Sequence, residues 1–175
     1  IFNDEFIDMS KVQVDDYKLM LDSDGTVQAL YNTIVMPLLG SNWTIEADDD
    51  TPKAVEQSAW VEESLRKPPH KGGMSTPFDL VLAQALRAVV EGFAGFEKVY
   101  ELVDGKIVYK KIAWRDPTTI TMYTDDRGGF NGFRQRAYIA NSYSDVRIPL
   151  DRCFLYTYGK EFHNLKGRSA FTAAY

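Results

Sequence analysis

Cysteine is almost absent from this chain: Cys153 is the only one in 175 residues. A single thiol excludes an internal disulfide framework and fits a reducing cytoplasm. Histidine is nearly as scarce, with only His70 and His163. Both stand in loop-like sequence among Lys, Pro and Asn, which leaves a histidine-based catalytic pair or metal centre little to draw on. No apolar run approaches the roughly 18 to 20 residues of a membrane span. The stretch from Ile1 to Val12 carries three acids and no signal-peptide pattern. Asn42-Trp43-Thr44 has the form of a glycosylation sequon, which without a secretory signal reads as chance. Basic excess is also missing, since 20 Lys and Arg face 25 Asp and Glu, for a net charge of −5. A sequence-independent DNA binder presents a basic surface to phosphates, and in bulk this chain does not.

What remains is an ordinary globular composition, 45% hydrophobic, 13% aromatic and 26% charged. One core is expected, burying roughly 70% of the unfolded chain's surface. Residues 1–14 lack periodicity and read as a terminal arm. Val27, Leu30, Tyr31, Ile34, Val35 and Leu38 recur at three and four, predicting a helix capped near Asp22–Asp24 and ended by Pro37 and Gly40. Trp43 to Ala47 alternates as a short strand. Thr51-Pro52 starts a surface helix, residues 67–76 form a loop, and Thr76 caps a core helix running through Phe78, Val81, Leu82, Leu86 and Val89 to Phe93.

Beyond Gly95 the period changes to two. Asp104-Gly105 between Val99–Val103 and Lys106–Lys110 is a hairpin signal. Further strands are expected over 119–123, 132–139 and 153–158. The fold class is therefore α+β, with N-terminal helices packed on a C-terminal antiparallel sheet.

Candidate chemistry is thin. Cys153 sits in an apolar strand, where a free thiol behaves as a small hydrophobe. Asp48-Asp49-Asp50 offers oxygens to a hard cation, and Asp22-x-Asp24-Gly25 opens like a calcium loop without its later ligands. Helix capping and a solvated turn explain these acids better. Gly159 to Ser169 resembles a phosphate loop, but seven residues separate Gly159 from Gly167 and Arg168 stands where the motif needs Lys. A tight turn at Gly167 with Ser169 as a helix cap is the plainer reading. Trp114, Tyr123, Phe130, Phe133, Tyr138 and Tyr143, with Arg115, Arg127, Arg134 and Arg136 among them, could stack single-stranded nucleic acid. They equally suit packed strands.

The chain's last stretch resembles the portal proteins, the head-to-tail connectors of tailed bacteriophages. An Ile-Pro-x-Asp-Arg strand entry (Ile148, Pro149, Asp151, Arg152, Phe154) leads into Thr157-Tyr158, a loop, then Gly167-Arg168-Ser169 with Ala174 and Tyr175. Upstream, Met20, Asp22, Pro37-Leu38, Asn42 to Ile45, Gly95-Phe96-Glu97 and Trp114 to Pro117 follow in the family's order, so that the resemblance spans roughly residues 15–175. It implies a structural, non-enzymatic protein with no cofactor and no bound metal. Its partners would be copies of itself in a ring, usually of twelve, with terminase, capsid and head–tail adaptor proteins. Double-stranded DNA would pass through the channel without sequence recognition, with no membrane involved.

The expected location is the portal vertex of the virion, with assembly in the host cytoplasm from a phage or prophage gene. Residues 15–165 would form a wing-like domain. Residues 166–175 would start a helix toward the stem, cut short where the sequence stops, in a chain expected to be an excerpt of a longer protein. Arg115, Arg127, Arg134 and Arg136 on one flank, and Asp48, Asp49 and Asp50 on another, are candidate contacts between subunits. The alternatives are a metal-dependent nuclease or hydrolase built on the acids, and a single-stranded nucleic-acid-binding module.

Overall fold

The computed structural model describes residues 5–173, with 72 and 140 excepted. Ala174 and Tyr175 of the family pattern, and the first four residues of the expected arm, lie outside that range. Five helices come first: α1 (Glu5–Ser23), α2 (Gly25–Leu39), α3 (Pro52–Arg66), α4 (Phe78–Leu86) and α5 (Ala88–Glu91). Six strands follow: β1 (Phe93–Val103), β2 (Lys106–Arg115), β3 (Ile120–Thr124), β4 (Phe130–Ile139), β5 (Ser142–Pro149) and β6 (Cys153–Thr157). The α+β class is as expected, but the strands make two antiparallel sheets rather than one. Their orders are β2-β1-β6 and β3-β4-β5.

The helix starts follow local chemistry. Asp24 caps α2, its Oδ1 accepting from the backbone N–H of Thr26 at 2.7 Å and Val27 at 3.2 Å. Thr51 Oγ1 accepts from the Ala54 N–H at 3.3 Å, with Pro52 opening α3.

Several expectations are corrected. The arm overlaps α1, because Val14, Tyr17 and Leu21, three and four apart, are buried against the other helices. Pro37 lies inside the last turn of α2, which continues to Leu39 before Gly40. Residues 43–47 form no strand, and the Trp43 indole N–H instead donates to the Leu38 carbonyl at 3.1 Å. Thr76 is buried and caps nothing, since Pro77 holds the start of α4 without a side-chain bond. The core helix breaks at Arg87, and Gly92 at φ +84° turns the chain so that Phe93 opens β1 instead of closing the helix.

The β1–β2 hairpin turns on Asp104 and Gly105, at φ +50° and +75°. One core cluster (Met74, Val81, Ala88, Ala94, Phe96, Ile112) lies between α4–α5 and the first sheet. A second (Phe93, Ile120, Phe133, Ile148, Cys153) joins the two sheets. A Cβ at Gly95 would stand 2.8 Å from both Ile120 and Phe133 side chains, so the second sheet sits directly on the bare backbone of β1. A third cluster docks α1 on α5 through Tyr17, Leu21 and Val90.

Candidate subunit interface

Strand register decides which charges meet. Across β4 and β5, Arg134 faces Arg147, Arg136 faces Asp145, and Tyr138 faces Tyr143. Across β3 and β4, Met122 faces Phe133 and Tyr123 faces Gly132. Because side chains alternate along a strand, the arginines and tyrosines share the face opposite the buried Phe133 and Ile148. Arg136 stacks over the Tyr143 ring at 5.0 Å, and Arg147 over Tyr123 at 5.1 Å. Arg134 Nε lies 3.9 Å from Asp145 Oδ2. Three guanidinium groups thus meet one carboxylate on an outward sheet face, where Tyr138 and Tyr143 remain 64% and 69% exposed.

The other candidates lie elsewhere. Arg115 is ion-paired to Glu97 across the β1–β2 ladder. It lines a cleft of about 420 Å³ between the sheets, with Gln135, Ile148, Pro149 and Arg152. Burial lowers its guanidinium below the usual value, and its Nε is buried with no hydrogen-bond partner among the described residues. Arg127 is exposed on the 125–129 turn, where Asp125 Oδ1 accepts from the backbone of Arg127 and Gly129 at 2.9 and 2.7 Å. Asp48, Asp49 and Asp50 are all exposed just before α3. The Asp49 carboxyl is held below the usual range by the Thr51 hydroxyl and the Thr51 N–H. Of the aromatics, Trp114, Phe130 and Phe133 pack into the cores, leaving Tyr123, Tyr138 and Tyr143 on the basic face. Arg147 carries no sequence signal of its own, because no alternation of burial marks β5.

The Gly-Arg-Ser segment closes the fold rather than cradling an anion. Gly167, at φ +63°, brings its backbone against the carbonyls of Tyr158 and Gly92 too closely for any Cβ. Around it, the Arg168 N–H donates to Tyr158 O at 3.0 Å and Thr157 Oγ1 to Leu165 O at 3.0 Å. Asn164 Nδ2 donates to Gly167 O at 2.8 Å. Ser169 Oγ accepts from the Phe171 N–H at 3.0 Å. Ser169 therefore acts as the expected cap, but of a short 3-10 turn, Ala170–Ala173, instead of an α-helix. Pro149 ends β5, and Asp151 and Arg152 lie in the 3-10 turn Leu150–Arg152 that leads into β6.

A chain of charges ties the helices to the first sheet. Lys18 pairs with Asp116 at 2.8 Å, and the centroid of the Trp114 ring is 6.0 Å from the Lys18 ammonium and 5.9 Å from the Arg87 guanidinium. Arg87 Nε in turn donates to Glu91 Oε1 at 3.0 Å. Burial would raise the Asp116 carboxyl, but Lys18 and the two Thr118 donors outweigh it and hold it low. In Glu91 burial wins over Arg87, and its carboxyl is pushed up.

Among the described residues no cluster of His, Cys, Asp or Glu could hold a metal ion, and no helix is long and apolar enough to cross a membrane. Exposed faces of this kind, charged and aromatic on the second sheet, suit a structural protein that works within a larger assembly. The chain belongs to the phage portal proteins, for the family described as the portal protein of Mu bacteriophage matches residues 14–175. It is thus a structural protein of the virion. No curated protein matches it. Among solved structures it is similar to a chain in the virion of a native gene transfer agent particle, at 10% identity and a TM-score of 0.45. That match covers 83% of this chain and 45% of the other, so this chain spans less than half the length of its solved relative.

Proposed function

We propose that this chain is the wing-like part of a portal subunit. Copies of that subunit form a ring at one capsid vertex, DNA is packaged and ejected through the ring, and the tail attaches to it. The family match over residues 14–175 carries this reading. Residues 15–165 form the wing-like unit and 166–175 lead toward the stem. Terminase, capsid and head–tail adaptor proteins are its partners, and duplex DNA passes without sequence recognition. No catalytic, cofactor or metal role is assigned to any residue.

Charge distribution supports head-to-tail association. Residues 1–66 hold 14 of the 25 acids and 4 of the 20 basic residues, a net charge of −10, whereas residues 67–175 carry +5. In the ring, the basic face of Arg134 and Arg136 meets the Asp48–Asp50 turn of the next copy, with Arg127 and Arg115 as further candidate contacts outside that face. Electron microscopy of the complete protein tests the reading. Rings with a central channel are expected, and solitary monomers at high concentration would overturn it. The Arg–Tyr face also has the makings of a single-strand stacking surface. Salt-dependent binding of single-stranded DNA that is lost in Arg136→Glu would favour that second reading.

A further inference from the structure

Two apolar surfaces have no partner among the described residues, and they lie at opposite ends of β2. The first is the tip of the β1–β2 hairpin. There Leu102 faces Ile107 and Tyr100 faces Tyr109 across the strands, and Leu102 and Ile107 are 71% and 62% exposed. Two aliphatic side chains paired on a projecting tip, with Val103 beside them, are costly to leave in water.

The second surface is the mostly apolar cleft between α2 and α4, about 400 Å³, lined by Val35, Met36, Leu39, Leu80 and Trp114, with Gln84 and Arg87 as its polar members on the α4 side. Over its whole length α2 contains no Asp, Glu, Lys or Arg, yet Val35 is its only buried residue. A solvent-facing helix of a self-sufficient domain carries charge on its outer side. An uncharged and mostly exposed helix is built to be covered. The cleft has room for a few aliphatic side chains.

We propose that the hairpin tip of one copy inserts into the α2–α4 cleft of the next, making the apolar centre of the ring contact. This rests on the ring reading. Seven residue steps along β2 lead from Ile107 at the tip to Trp114 at the cleft, about 24 Å at the rise of an antiparallel strand. A knob and a hole at different places on one protomer permit the heterologous, head-to-tail contact that a ring needs, and a ladder beyond the dimer distinguishes it from a reciprocal two-fold pair. Charge agrees on the α2 side, because residues 98–111 carry four lysines against Glu101 and Asp104, while residues 1–66, which include α2 but not α4, carry a net charge of −10. The lysines then sit as a rim around the apolar insertion, steering the tip toward the acidic end of its neighbour.

Covalent trapping in the complete protein tests this. Leu102→Cys and Met36→Cys are combined and treated with a short bismaleimide. Cys153 is buried and stays unlabelled. The expected result is a ladder of covalent oligomers beyond the dimer on a denaturing gel, with neither single variant passing the dimer. An assembled protein that gives no ladder, or dimers only, overturns the knob-and-hole contact and leaves the ring reading standing. A complete protein that is monomeric by native mass overturns both. As a second variant, Leu102→Asp with Ile107→Asp should keep the wild-type melting temperature and lose assembly at least tenfold. Undiminished assembly in that variant also overturns the proposal.

Discussion

Lys18 Nζ stands 2.8 Å from Asp116 Oδ1 and so fastens α1 to the turn between β2 and β3, 98 residues further along the chain. The pair is only partly exposed, and Asp116 also accepts from the Thr118 N–H at 2.9 Å and hydroxyl at 2.8 Å. Asp116→Asn should cost about 1–3 kcal/mol in urea unfolding at neutral pH, since it leaves the Lys18 ammonium unpaired. Because the folded carboxyl is held low, its stabilisation is complete above the unfolded value and disappears as pH falls through the folded one. The variant should lose that acid-side slope.

Glu91 should titrate with the opposite sign. Its folded carboxyl is raised by burial, so the folded state binds the proton more tightly than the unfolded chain. Stability from this group is present at pH below the unfolded carboxylate value and is lost as pH rises through the folded one. Glu91→Gln should flatten the change in unfolding free energy between mildly acidic and neutral buffers. An unaltered slope would show that Glu91 does not govern it.

Gly167→Ala places a methyl group against two backbone carbonyls at φ +63°. The left-handed backbone alone costs about 1–2 kcal/mol for an L-residue, and the contact adds to it. Loss of about 2 kcal/mol or more is expected in denaturant unfolding, with proteolysis appearing first in the loop from Tyr158 to Arg168. A neutral effect would mean that the loop does not close on Gly92.

Phe96 is fully buried and stacks on Phe154 with ring centroids 4.9 Å apart. Phe96→Ala should cost about 3–5 kcal/mol. Differential scanning calorimetry would register a correspondingly large fall in melting temperature.

Reversal of Arg134 and Arg136 to Glu should leave the monomer's melting temperature within a few degrees, since both lie on the outer sheet face, and should weaken ring assembly of the complete protein. Native mass spectrometry reads the outcome. An unchanged oligomer mass would remove these two residues from the interface.

Much of the fold is legible in local chemistry. Asp24, Thr51-Pro52 and Asp104-Gly105 act through bonds and backbone angles set within a few residues, and each does in the structure what its type predicts. Strand β5 was not legible, because seven of its eight positions are exposed and only Ile148 is buried, so no alternation of burial marks it. Thr76 reads as a cap until Pro77 takes the position and leaves Thr76 buried. The division into two sheets depends on Phe133 and Ile120 packing against bare Gly95, a long-range contact with no local trace. On the candidate interface, Arg134 and Arg136 were legible as strand charges. Arg147 beside them, and the capture of Arg115 by Glu97, follow only from register.

The lopsided charge of the chain makes ionic strength a diagnostic. At physiological salt the screening length is about 8 Å, so added sodium chloride should loosen whatever the acidic helical half and the basic sheets contribute to association. Sulfate, excluded from apolar surface, should tighten whatever the hairpin tip and the α2–α4 cleft contribute. One protein assembled by both kinds of contact would then respond in opposite directions to two salts. The steering part of its assembly could be separated from the sealing part without altering a residue.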